Sequence, residues 1–171
     1  MMTTTIETIS TLRLYGEAIN ETHWAVWRDM GTNPILMKTL GGIWDEPIAL
    51  EKFTKNIMFW EEDEIGLWMF FSKENNQFIG RCGLRPIKLE NRTETELSYA
   101  VVPQFWRQGF ASEMAIEALN VGINHLNLRS IIAFTLPTNY PSIRTMQRLG
   151  FVYEKNIIHE SLEHVLHRRK S

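Results

Sequence analysis

An alternating segment, Thr95 to Val102, runs into Pro103 and a short polar turn. A helical pattern follows from Phe110 to Leu126, and then the almost wholly apolar Ser130 to Leu136. This strand–helix–strand crossover constrains the fold more than any other feature of the chain. Two neighbouring strands joined through a helix run parallel, so part of the sheet is parallel and helices cover it. Ala111, Ala115, Ala118 and Gly122, interleaved with Met114, Leu119 and Ile123, let the helix lie close to the sheet. The turn Phe105-Trp106-Arg107-Gln108-Gly109-Phe110-Ala111 opens that helix. Free amides and the positive end of the helix dipole favour an anion such as phosphate there. Gly109 permits close backbone approach, and Arg107 or Gln108 adds a charged or amide contact. An ordinary strand-to-helix turn shares these local features, so the turn alone leaves both readings open.

The rest of the chain reads as mixed α/β. Leu12 to Tyr15 reads as a first strand. Asn20 caps a helix presenting Trp24, Trp27 and Met30, which Gly31 and Pro34 stop. Thr39 to Pro47 is a broken connection, and Ala49 to Glu61 is a second helix carrying Phe53, Ile57 and Trp60. Ile65 to Phe71 is a buried strand, and Gln77 to Arg85 its hairpin partner across the turn Lys73-Glu74-Asn75-Asn76. Pro86 to Arg92 reads as a loop or bulge. A helix starts at Pro141 or Ser142 and ends at Gly150. Val152 to Glu154 and Ile157 to Leu166 read as a closing strand pair.

The 171 residues are expected to form a single domain, 1–171, with an ordinary globular composition of 44% hydrophobic and 22% charged residues. The net charge of −2 argues against a nucleic-acid binder. No apolar run spans a bilayer and the N-terminus is not a secretory signal, so a soluble, cytoplasmic protein is expected. The lone Cys82 excludes an internal disulfide and a multi-cysteine metal site, and reads as a core residue. Neither a Walker loop nor a dinucleotide glycine triplet occurs. Gly80-Arg81-Cys82-Gly83 reads as structural. His159 and His164, five apart, lack the spacing of a helical metal pair, and no metal site is expected.

Glu96-Leu97-Ser98-Tyr99-Ala100-Val101-Val102-Pro103, then Phe105-Trp106-Arg107-Gln108-Gly109-Phe110-Ala111-Ser112-Glu113, then Asn139-Tyr140-Pro141-Ser142 and Leu149-Gly150-Phe151 stand in order along the chain. Together they resemble the acetyl-CoA-binding core of the GNAT superfamily of N-acetyltransferases. They look most like its ribosomal-protein N-terminal acetyltransferase branch. The resemblance spans Glu96 to Tyr153 and extends more weakly to Thr11–Leu14 and Phe78–Leu84. It implies a centrally splayed mixed sheet flanked by helices, with acetyl-CoA in a cleft between strands 95–102 and 130–136.

In that reading the pyrophosphate sits on the amides of Arg107, Gln108, Gly109, Phe110 and Ala111. The pantetheine arm pairs with an open edge at Val101 and Val102. A backbone N–H near Ala100 to Val102 meets the thioester carbonyl, where charge builds during amine attack. Glu96 is the candidate for proton removal; an ion pair is its other reading. Ser142 is the candidate donor to the departing thiolate; a helix cap is its other reading. Asn139 bonds the pantetheine or serves as a turn residue. The tyrosine often proposed as general acid in the family matches Met146 here.

The resemblance implies transfer of acetyl from acetyl-CoA to a primary amine by direct attack in a ternary complex. The acceptor is a peptide N-terminus, or alternatively a small amine such as a polyamine or an antibiotic. A non-catalytic acyl-CoA-binding protein is the third reading. At pH 7 a lysine amine is neutral roughly once in 2,500, an α-amine roughly once in five to ten, which makes the α-amine the easier acceptor. Trp44, in a Gly/Pro-flanked loop, is the aromatic best placed for a substrate wall. A homodimer is compatible with the sequence.

Overall fold

The structure, a computed structural model, describes residues 6–171. Strands β1 (Thr8–Ser10) and β2 (Leu14–Ala18) lead into a 3-10 turn (Glu21–His23) and helices α1 (Trp24–Thr32), α2 (Pro34–Met37) and α3 (Glu46–Asp63). Strands β3 (Leu67–Ser72), β4 (Phe78–Leu89) and β5 (Arg92–Val101) follow. After them come α4 (Phe110–Asn120), β6 (Ser130–Thr135), α5 (Tyr140–Arg148), β7 (Val152–His159) and β8 (Leu162–Lys170). The eight strands form one sheet in the order β1-β2-β3-β4-β5-β6-β8-β7. Every neighbouring pair is antiparallel except β5 and β6, which are parallel as the crossover requires.

Side chains alternate across β4 and β5 and separate two cores. Cys82, Leu84 and Leu97 pack with Met114, Ala115 and Ala118 of α4 on one face. On the other, Trp27 of α1 and Phe53 of α3 pack on Leu67 and Met69 of β3. Cys82 is fully buried, as a core residue should be, and burial pushes its thiol well above the ordinary range. A Cβ at Gly83 would meet the Gly66 carbonyl oxygen at 2.0 Å and one at Gly80 the Ala100 carbonyl oxygen at 2.2 Å, so the two glycines of Gly80-Arg81-Cys82-Gly83 are structural.

Several boundaries differ from the sequence reading for identifiable reasons. Pro86 to Arg92 is not a loop: β4 continues to Leu89 and turns at Glu90-Asn91 into β5. β3 begins at Leu67, opposite Gly83, so β4 has a partner on one side only at Pro86. Proline is tolerated there because its missing N–H faces the unpaired edge. The closing strands divide at Glu160-Ser161, not near Asn156. Glu160 and Ser161 both have positive φ, a two-residue hairpin turn whose chemistry is not the usual Asn-Gly. Pro34 opens α2 instead of only ending α1, with Asn33 accepting from the amides of Ile35 and Leu36. Asp45 caps α3 through the Ile48 amide at 2.9 Å, extending that helix toward its N-terminus. The long second-half helix stops as α at Asn120 and widens into a π turn over Val121–His125.

Phe70 lies fully buried in the α4-side core. Replacing it with Ala is expected to lower unfolding stability by about 3–5 kcal/mol. Urea denaturation measures this; a loss under about 1 kcal/mol would contradict the packing described.

Candidate active site

The parallel strands β5 and β6 share one register point, Glu96 opposite Ile132, and separate beyond it. The Val102 amide donates to the Ile79 carbonyl at 3.0 Å. By antiparallel alternation the polar groups of Ala100 face β4, and those of Tyr99 and Val101 face away, into the gap. A cleft of about 690 Å³ opens there. The open edge expected at Val101 and Val102 therefore narrows to Tyr99 and Val101. Both backbone groups of Val102 are engaged, the carbonyl by the Phe105 amide. The Trp106 indole N–H donates to the Val101 carbonyl at 2.6 Å, leaving the Val101 amide facing the gap.

One end of the cleft is the turn into α4. Arg107 (φ 64) and Gly109 (φ 81) both take left-handed backbone conformations. The first amide of α4 to find a carbonyl is that of Glu113, on Gly109 at 3.0 Å. Among the described residues, the amides of Arg107 to Ser112 find no acceptor. Arg107, Gly109, Phe110 and Ala111 line the cleft, whereas Gln108 does not. Its carbonyl is instead held by the Arg13 guanidinium at 2.9 Å. Arg13 stands over the Phe110 ring at 4.1 Å and pairs with Glu113 at 2.7 Å, and Thr11 donates to the same carboxylate. The connection between β1 and β2 thus clamps the turn from outside. Burial alone would push the Glu113 carboxyl up, but hydrogen bonds from Thr11 and Arg13 outweigh it and hold the group below its ordinary range.

At the gap itself stand Tyr99, Ser142 and Glu96. The Tyr99 hydroxyl lies 2.9 Å from Ser142 Oγ. Burial pushes the Tyr99 phenol up to about 12, against a smaller opposing effect of the Ser142 bond, so it is a neutral O–H near pH 7. Asn139, not Ser142, caps α5: its Oδ1 accepts from the Ser142 amide and its Nδ2 donates to Thr135. That leaves the Ser142 hydroxyl on the cleft wall beside Tyr99 and makes Asn139 a helix cap. Glu96 is buried, and its Oε2 accepts from Arg85 at 2.8 Å. Its Oε1 receives no hydrogen bond from the described residues, and the residue lines the cleft. Met146 is buried core.

The far end is walled by Trp27, Trp44 and Asn56 from the first half, and by His159, Glu160 and Leu162 from the β7–β8 hairpin. Trp44 packs tilted against Trp27 with ring centres 5.4 Å apart, and Lys52 pairs with Glu160 at 2.6 Å. His159 and His164 pack on each other and on Phe134. The sequence reading missed Tyr99, Arg81 and His159. Tyr99 was within reach of inference, since it shares a strand face with Leu97 and Val101 at the expected gap; the other two depend on long-range packing.

The model of the acetyltransferase (GNAT) domain matches residues 13–152, most of the chain. The chain belongs to the GNAT acetyltransferase family. The Bacillus subtilis (strain 168) protein YkkB is 32% identical over 107 residues, 63% of this chain and 62% of that one. Curated relatives are matched over about half to three-fifths of their own length. Among solved structures, an acetyltransferase from Agrobacterium tumefaciens str. C58 superposes with a TM-score of 0.85 at 22% identity, covering 96% of this chain and 94% of that one. RimL, a ribosomal L7/L12 α-N-protein acetyltransferase solved with coenzyme A, gives a TM-score of 0.76 at 17% identity, covering 96% and 98%. The GNAT fold thus extends over the mixed sheet and the cleft at its parallel pair.

The depressed Glu113 carboxyl sets a pH signature for the clamp. A carboxylate held below its unfolded value stabilises above the ordinary range near pH 4.3, and that stabilisation is lost as pH falls through the folded value. Wild type is expected to melt higher than Glu113→Gln at neutral pH, with the two converging on acidification. Thermal melts at stepped pH measure it; a constant difference down to acid pH would contradict the clamp.

Proposed function

We propose that the chain transfers an acetyl group from acetyl-CoA to a primary amine, by direct attack in a ternary complex. The observation that carries this reading is the gap between β5 and β6, with the Tyr99 and Val101 backbone facing it and the acceptor-less amides of Arg107 to Ser112 at its end. The pantetheine arm is a chain of amides and complements such an edge. The pyrophosphate complements the amides and dipole of the α4 start, with Arg107 adding charge. Gly109, Phe110 and Ala111 line that end, and the Gln108 carbonyl is fixed by Arg13. The Val101 amide is the donor for the thioester oxygen as it becomes an oxyanion.

The amine nitrogen attacks the thioester carbon, a C–N bond forms and the C–S bond breaks. Glu96 accepts the ammonium proton through water at its unbonded Oε1, while Arg85 holds the other oxygen. The Tyr99–Ser142 hydroxyl pair delivers a proton to the departing sulfur. Tyr99 supplies the aromatic hydroxyl that Met146 lacks. A protein N-terminal α-amine is a favoured acceptor class, because it is far more often neutral than a lysine. The likeness to RimL supports the fold for this. A small amine is the second reading, since the far end of the cleft is largely walled.

Free-thiol release from acetyl-CoA over a panel of N-terminal peptides and small amines tests the activity. Transfer to at least one acceptor is expected; none at all with CoA bound would leave only a CoA-binding protein. Tyr99→Phe is expected to lower kcat by about 100-fold with little change in acetyl-CoA affinity. An unchanged kcat would remove Tyr99 from the mechanism. Gly109→Val, which forces a β-branched residue to a φ of 81°, is expected to abolish the rise in Tm caused by CoA.

A further inference from the structure

Among the charged side chains that line the cleft, two pairs and one buried arginine stand near Trp27 and Trp44. Lys52 meets Glu160, and Arg85 meets Glu96. Arg81, on β4 opposite Ala100, is 6% exposed and lines the same cleft. Its guanidinium makes a single hydrogen bond among the described residues, from Nη1 to Ser98 Oγ at 3.1 Å, and lies 5.3 Å from the Trp27 ring centre. No carboxylate of the described residues lies within ion-pair distance of it. Burial first, then the neighbouring Arg85, lowers this guanidinium to about 10 against a smaller opposing pull from Glu96, which still leaves it charged at neutral pH. A buried charge without a counter-ion is costly, and arginine carries five N–H donors in a fork that fits a carboxylate. Asn56, also buried on the cleft wall, has an Oδ1 with no donor, ready for a ligand N–H.

Resting on the acetyltransferase reading, we infer that the acceptor amine also carries a carboxylate, which Arg81 binds at the far end of the cleft. The site therefore takes an amino acid, or a peptide whose N-terminal region is acidic, and disfavours polyamines. A polyamine would add cations beside Arg81 and leave its donors unmatched. Trp27 and Trp44 supply the apolar wall for the acceptor's body.

Product analogues titrated by calorimetry into the full chain saturated with CoA provide the test. One pair is N-acetylalanine against N-acetylalaninamide; the other is an acetyl-Ala-Glu amide peptide against its Ala-Gln counterpart. In at least one pair the carboxylate is expected to bind about tenfold or more tighter, as a charge-assisted hydrogen bond warrants. The pair that shows it distinguishes a free amino acid from an acidic peptide. Arg81→Met removes the difference and Arg81→Lys keeps part of it, with the CoA-induced rise in Tm retained in both. Equal affinities within both pairs, no binding of either carboxylate, or a preference that survives Arg81→Met would overturn the inference. A carboxylate preference without acetyl transfer to the parent amines would instead overturn the transferase reading and leave the anion site standing.

Discussion

The cleft of this chain depends on β5 and β6 parting after Glu96 and Ile132. A sheet normally satisfies its strands' polar groups on both sides, and a buried group without a partner costs about 1–3 kcal/mol. Here the parallel pair gives up its ladder where β5 carries Tyr99 and Val101. The interruption is sustained from both flanks. β4 pairs with β5 along its whole length, and β8 pairs with β6 from Ser130 to Thr135. Two well-formed half-sheets can therefore diverge without either losing its core.

The divergence would be a plain defect without the turn at its end. Arg13 and Thr11, nearly a hundred residues away in sequence, hold Glu113 and the Gln108 carbonyl. The Trp106 indole ties the turn back to Val101. These contacts engage carbonyls and side chains and leave the Arg107 to Ser112 amides without acceptors. The result is a turn whose free backbone polarity is concentrated on N–H donors, which suits an anionic ligand.

The crossover and the turn into α4 were legible because each rests on local chemistry: alternation, a proline, small residues and Gly109. The parallel pair follows from connectivity alone. Hairpin turns at Glu90-Asn91 and Glu160-Ser161 were not legible, because their positive φ values are set by the paired strands and not by Asn-Gly chemistry. A helix cap was only the second reading of Ser142, and the cap of α5 falls three residues earlier, at Asn139, because Asn and Ser are both good caps and only the backbone path chooses between them. Arg81 and Asn56 were invisible as site residues. Their meaning comes from what they fail to touch, which only three-dimensional packing shows.

Amide hydrogen exchange with and without acetyl-CoA tests the central claim most directly. The account predicts that ligand slows exchange at Tyr99 and Val101 and across Arg107 to Ser112, with little change in the β1–β2 hairpin. Saturating acetyl-CoA that leaves those amides unprotected, or that protects a different surface, would contradict the parting of β5 and β6 as the binding site.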